Sequence, residues 1–216
     1  MSPRDAASAV GVTRVASESS PRVDHVSHVP LLTLDTLWFQ VAGTLCNLTC
    51  THCFISCSPK NHTHEMMTLA QVEGLLREAE ALGVRDYGVT GGEPFLHAEI
   101  FEILSAILAR GPVLVLTNGM LLSAAKAERL ARMASGSDYS LDVRVSLDAP
   151  DAERNDAVRG HGNFRKAIEG VRNLAAAGLE PALCVTRVDD ATTNEEIVRA
   201  FTALLAENGV QRARIK

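Results

Sequence analysis

Six short runs rich in apolar and β-branched residues recur along the chain, and stretches with helical spacing separate them. The runs are LWFQVAG (37–43), DYGVTG (86–91), PVLVLTN (112–118), LDVRVSLD (141–148), PALCVTR (181–187) and VQRARIK (210–216). Strands that alternate with helices must run parallel, because each crossover helix returns the chain to the edge it left. Between the first two strands, Leu69, Val72, Leu75, Leu76, Ala79 and Leu82 fall on one helical face. Thr68 and Gln71 stand where a capping box begins that helix, and Gly83 suits its end. Thr193 and Glu196 repeat the start signal, with Phe201, Leu204 and Leu205 on the apolar side. The count is six strands and five intervening helices, an α/β domain over 36–216. Periodicity leaves two architectures open, an open or partly closed barrel and a doubly wound sheet.

No helix follows the sixth run, and an uncovered parallel edge is a liability. The expectation is therefore a domain truncated at or after the sixth strand, or one with a partner covering that edge. Residues 1–35, rich in Ser, Pro and charge, read as a disordered leader, with His25 and His28 in it unsupported as ligands. The leader holds no apolar core of a secretory signal, and the chain holds no apolar run long enough to span a bilayer. A cytoplasmic protein without a membrane is expected. The net charge of −5 gives no electrostatic reason to expect nucleic acid. Five cysteines, an odd number, fit ligands or catalysts better than disulfides in a reducing compartment.

In parallel α/β folds the loops leaving the C-terminal strand ends share one face, where sites are built. Four polar clusters of this chain fall there. CNLTCTHCF (46–54) follows the first strand, TGGEP (90–94) ends the second, TNG (117–119) the third and SLD (146–148) the fourth. Structural zinc and closed iron–sulfur clusters use four protein ligands. Three thiolates, from Cys46, Cys50 and Cys53, would instead hold a cubane by three irons and leave the fourth open. Two other readings stand beside this one. The cysteines could line one buried helical face, or bind zinc with Cys57 or His52 as the fourth ligand. Gly91 and Gly92 would let a ligand approach the strand end without a side chain in the way. Glu93 could accept hydrogen bonds from an ammonium group, and Pro94 fixes the turn into the next helix. Ser146 and Asp148, two residues apart, could hydrogen-bond a ribose diol.

These residues together resemble the radical S-adenosylmethionine (radical SAM) enzyme superfamily. CNLTCTHC matches its CxxxCxxC signature, and GGEP on the second strand matches its methionine-binding motif. The stretch VSLDAPDAERNDAVRGHGNFRKAIEGVRNLAAAGL resembles the strand-four and helix-four region of the molybdenum-cofactor and SPASM-type branch. The resemblance implies a partial (β/α)6 TIM-like barrel in which Cys46, Cys50 and Cys53 ligate a [4Fe–4S] cluster whose free iron chelates S-adenosyl-L-methionine. It puts Gly91, Gly92 and Glu93 at the amino end of the methionyl group, and Ser146 and Asp148 near its ribose or carboxylate. His52 or Phe54 would lie near the adenine, Thr117 and Asn118 would be contacts on the same face, and Arg159 would neutralise the carboxylate. The implied activity is reductive cleavage of S-adenosylmethionine to a 5′-deoxyadenosyl radical, which abstracts hydrogen from a peptide or small-molecule substrate. An electron donor such as flavodoxin or ferredoxin is implied as a partner. The family's strand-five adenine motif has no counterpart in PALCVTR.

Two further functions compete, an RNA-modifying enzyme of the same family and a non-catalytic zinc or iron–sulfur module. Cys57, His62 and His64 are expected in a polar loop over the site, Cys184 in the core, and Met66 and Met67 packing at a helix start. Asn47-Leu48-Thr49 has the form of a glycosylation sequon that a cytoplasmic chain would not use.

Overall fold

The computed structural model describes residues 33–186 and 192–216. Residues 1–32 of the leader expected over 1–35, with His25 and His28, and Arg187 of the fifth run lie outside them, whereas Leu34 packs against the core and Asp35 O accepts from Arg85 N and Asp86 N. Six strands form one parallel sheet: β1 (Thr36–Gln40), β2 (Asp86–Thr90), β3 (Val113–Thr117), β4 (Leu141–Ser146), β5 (Ala182–Cys184) and β6 (Arg214–Ile215). Their spatial order is their chain order, β1-β2-β3-β4-β5-β6. A doubly wound sheet reverses direction at a switch point. This one never does, so the architecture is the partial barrel.

Among the described residues six α-helices accompany the strands: α1 (Leu69–Ala81), α2 (Ile100–Leu108), α3 (Ala124–Ser135), α4 (Ala152–Arg159), α5 (Asn163–Ala176) and α6 (Asn194–Glu207). The sequence reading counts five. The additional one is α4, and its composition hides it: AERNDAVR is polar all round, and it buries only Asn155 and Arg159. Gly160 and Gly162, at φ +108° and +80°, end α4 and open α5 in conformations that side chains rarely adopt. The capping boxes stand where the sequence puts them, Thr68 with Gln71 and Thr193 with Glu196. Met66 and Met67 precede the Thr68 cap rather than starting the helix, and Met67 packs against the core.

Register divides each strand between two environments. Phe39, Val89, Val115, Val143, Val145 and Leu183 are almost fully buried, in one cluster with helical residues such as Leu76, Ile103, Leu104, Val171 and Phe201. The alternate residues, Trp38, Leu114, Leu116, Arg144, Ser146 and Cys184, point to the opposite, inner face and keep partial exposure. Cys184 is thus on the inner face beside Ser146 and only partly buried, not in the core as expected. Every strand delivers its C-terminal end to the same rim, where the candidate site lies.

Candidate functional site

The site begins with the long connection from β1 to α1. Its polypeptide folds back on itself around Thr44, whose N–H donates to the His64 carbonyl at 3.1 Å and whose carbonyl accepts from Ser58 N at 3.3 Å. Cys46 N donates to the Ser58 carbonyl, and short turns at Cys53 N to Cys50 O and Ser56 N to Cys53 O finish the loop. These turns exclude the buried-helix reading of the cysteines. His62 and His64 have exposed side chains on this loop.

Four cysteines share one patch. Cys46 and Cys57 are buried with Leu48, and Cys50, Cys53, Ile55 and Met120 pack against them. Among the described residues no three His, Cys, Asp or Glu side chains converge closely enough for a single ion, so a mononuclear zinc site draws no support from the geometry. A cubane spreads its thiolates wider than one ion does. Peptide N–H groups already point at two of the sulfurs, Leu48 N at Cys46 Sγ (3.4 Å) and Cys57 N at Cys53 Sγ (3.3 Å). Such N–H···S contacts support cluster-bound thiolates. The donor set fits a [4Fe–4S] cluster.

Burial, with the nearby Glu93 and Cys50 charges, pushes the Cys46 thiol up to about 11. Burial and then Cys53 push Cys57 to about 12. Burial raises Cys50 as well, against the pull of Arg159. Cys46, Cys50 and Cys57 without metal therefore hold their protons at neutral pH, and a metal binding Cys46 and Cys50 must displace them.

The two glycines after β2 serve the chain itself. Gly92 N donates to the Gly43 carbonyl and Glu93 N to the Leu45 carbonyl, each at 3.0 Å, so the turn is hydrogen-bonded to the cysteine loop. A Cβ on Gly92 would overlap the Leu45 carbonyl, and one on Gly91 (φ +139°) would lie 2.7 Å from Ala42 N. The sequence reading assigned this cleared space to a ligand. The structure fills it with the loop's own backbone.

Glu93 is fully buried. One carboxylate oxygen accepts from Phe95 N (3.0 Å) and Thr117 Oγ1 (2.8 Å), the other from Asn118 N (2.8 Å). It therefore ties the end of β2 to the end of β3, and three protein donors take the place of the expected ammonium. Burial raises its pKa despite these bonds. Pro94 opens a short 3-10 turn, Pro94–Leu96, at the expected position. Asn118 continues the chain of contacts, donating to Asn47 Oδ1 at 2.7 Å and lying 3.9 Å from Cys46 Sγ. Asn47, which reads only as a sequon in the sequence, also meets Met120 Sδ at 3.5 Å.

Asp148 is equally committed. Arg159 Nη2 donates to Oδ1 at 3.0 Å, Arg159 Nε lies 2.7 Å from Oδ2, and His52 Nε2 is 2.8 Å from Oδ2. The Nε contact is ionic rather than a directed hydrogen bond. Both members of the arginine pair are buried, with side chains 9% and 1% exposed. Arg159 is thus a buried partner of Asp148 rather than a surface residue. His52 is held by Asp148, while Phe54 is 94% exposed at the loop tip and packs on nothing. Ser146 sits half-buried where β4 ends. Thr51 N to Val158 O (2.9 Å) and Cys50 Sγ to Arg159 O (3.9 Å) fasten the loop to the end of α4. Asn155 and Asn163, both buried, were missed by the sequence reading: Asn155 accepts from Asp148 N at 3.0 Å and donates to Asn163 at 2.9 Å. The polar composition of α4 beside RGHGN was the available signal.

Residues 41–205 match the Radical SAM superfamily. The chain belongs to that superfamily. Radical SAM relatives include the mycofactocin maturase MftC of Mycolicibacterium smegmatis, 36% identical over 168 residues, 76% of this chain and 40% of the relative. A GTP 3′,8-cyclase of Pelotomaculum thermopropionicum is 32% identical over 158 residues, 71% of this chain and 46% of that one. Among solved structures, Streptococcus suis SuiB bound to S-adenosylmethionine superposes with TM-score 0.65 at 21% identity, covering 85% of this chain and 40% of SuiB. The chain spans under half the length of these relatives. Radical SAM membership implies a [4Fe–4S] cluster and S-adenosylmethionine as cofactors. Among the described residues no helix is long and apolar enough to cross a membrane.

Proposed function

We propose that Cys46, Cys50 and Cys53 hold a [4Fe–4S] cluster and that the chain uses it to cleave S-adenosylmethionine reductively. The observation that carries this reading is the bonding of the cysteine loop to the Gly91–Gly92 turn through Gly43 and Leu45, which makes thiols and strand tip one unit. When bound, the cluster and S-adenosylmethionine supply one-electron carbon–sulfur cleavage and hydrogen-atom abstraction from a peptide or small molecule. The chain's own residues position that chemistry. Glu93 fixes the spacing of the second and third strand tips, and Asp148 with His52 and Arg159 fixes the loop against the fourth. Leu48, Ile55 and Met120 shield the thiols from water. Gly91, Gly92 and Pro94 act through the turn's shape, Ser146 and Asn118 line the rim, and Phe54 at the exposed tip is a candidate for the adenine side. An electron donor such as flavodoxin or ferredoxin would approach from solvent.

Anaerobic reconstitution followed by iron and sulfide analysis tests the reading. About four irons per chain, and 5′-deoxyadenosine on addition of a reductant, are expected. Stoichiometric zinc in place of iron, or equal 5′-deoxyadenosine from wild type and Cys50→Ala, would overturn it.

A further inference from the structure

The inner face of the sheet carries a second polar constellation, separate from the rim. Asp142 and Arg144 on β4 share this face with Arg214 on β6. Arg144 Nε donates to Asp142 Oδ2 at 3.0 Å, and Arg214 Nη2 donates to Asp142 Oδ1 at 2.5 Å. One carboxylate thus lies between two guanidiniums, leaving one net positive charge in a chain of net charge −5. The side chains of Arg144 and Arg214 are 28% and 43% exposed. Partly solvent-screened ion pairs contribute modestly, so an incoming anion can share the arginine donors. Arg144 lies one pleat below Ser146, about 7 Å from the rim of the candidate site.

The other half of the face carries polar Thr36, Gln40, Asp86 and Thr90 on β1 and β2, with an apolar patch between them. Leu114 and Leu116 line it on β3, and the Trp38 ring lies over Gly88, 47% exposed. Trp38 is on β1, three strands from Arg144, a separation of about 14 Å at about 4.8 Å per strand spacing. About four residues of extended peptide cover that distance.

We propose that this face binds a peptide by its free C-terminal carboxylate, held by Arg144 and Arg214, with an apolar side chain about three residues upstream on Trp38. The assignment deepens the proposed function, resting on it for the claim that the peptide is the substrate. Charge favours a carboxylate over a polyphosphate: a net charge of one matches a monoanion, and Asp142 repels additional negative charge. Arginine forks also match the planar carboxylate geometry.

The test uses N-acetyl tetrapeptides with an aromatic or aliphatic first residue, each as free acid and as C-terminal amide, and inorganic tripolyphosphate. Trp38, the sole tryptophan, reports binding by its fluorescence, with no iron or reductant present. At least one free acid is expected to bind tenfold or more tightly than its amide. Arg144→Gln and Arg214→Gln each remove that preference, while Asp142→Asn strengthens acid binding severalfold by releasing both guanidiniums. Circular dichroism checks each fold, and Arg214→Gln, the more exposed position, decides if Arg144→Gln does not fold. No acid preference anywhere in the series, weaker acid binding by folded Asp142→Asn, or tighter binding of tripolyphosphate than of any acid overturns the proposal. Cluster assembly and 5′-deoxyadenosine formation without acid preference refute this anchor alone. Acid preference without them refutes the radical reading instead.

Discussion

Asp148 joins three elements through one carboxylate: its own strand end, the cysteine loop through His52 and the end of α4 through Arg159. Removing its charge strands a buried guanidinium, whose loss of partner costs about 3 kcal/mol or more. Urea denaturation of Asp148→Asn should show that loss, and the double variant Asp148→Asn/Arg159→Met should recover most of it. Recovery failing would mean the pair is not the cause. Glu93 presents the same physics with hydrogen bonds in place of a direct ion pair, since its oxygens serve three protein donors. Glu93→Gln turns an amide N–H₂ toward at least one of those donors and should cost about 1 to 3 kcal/mol by the same measurement. A residue-level reading of the sequence finds both carboxylates, because each ends a strand where a site is expected. It cannot find their partners. Thr117 and Asn118 reach Glu93 across 24 and 25 residues, and such contacts exist only once the strands are paired.

At the scale of elements, the strands were legible because β-branched runs bounded by turn residues have few other uses. α1 and α6 were legible from their caps. α4 was not, because it buries too little apolar surface to leave a periodic trace. What holds its end is Asp156, whose carboxylate accepts from Gly162 N at 2.6 Å and Phe164 N at 2.8 Å. Burial opposes ionisation there, but the hydrogen bonds from Phe164 and Gly162 prevail and hold the pKa below its ordinary 3.8. A depressed folded-state pKa means stability that is present above about pH 3.8 and is lost as pH falls through the lowered value. Acid titration followed by circular dichroism should therefore be less steep below pH 3.8 for Asp156→Asn than for wild type. Equal slopes would assign the transition to other carboxylates. The Gly-Gly turn was legible as special but not for the right reason, since sequence cannot say whose atoms occupy the cleared space. Gly92→Ala should leave the far-ultraviolet spectrum nearly unchanged and lower the iron bound per chain after reconstitution, because its Cβ displaces the loop at Leu45. Full iron content in that variant would show that the loop yields without harm.

The whole molecule keeps its stabilising core and its working surfaces apart. The helix-side core is continuous from Phe39 to Val210, while the rim and the inner face contribute little to it. Leu104, fully buried in α2, is far in function from either surface. Leu104→Ala should cost about 2 to 5 kcal/mol in denaturation. The folded variant should still prefer free-acid peptides over amides to the wild-type extent. A lost preference would mean that core and inner face are coupled. Such separation lets strands keep their pattern while inner-face residues change. One junction lacks that freedom. At Gly92 and Leu45 the polypeptide of one segment presses directly on that of another, with no side chain on either side to trim in compensation. The cysteine segment is therefore not a portable module: grafted onto another βα scaffold, it would seat only where the host strand ends in an equally bare turn.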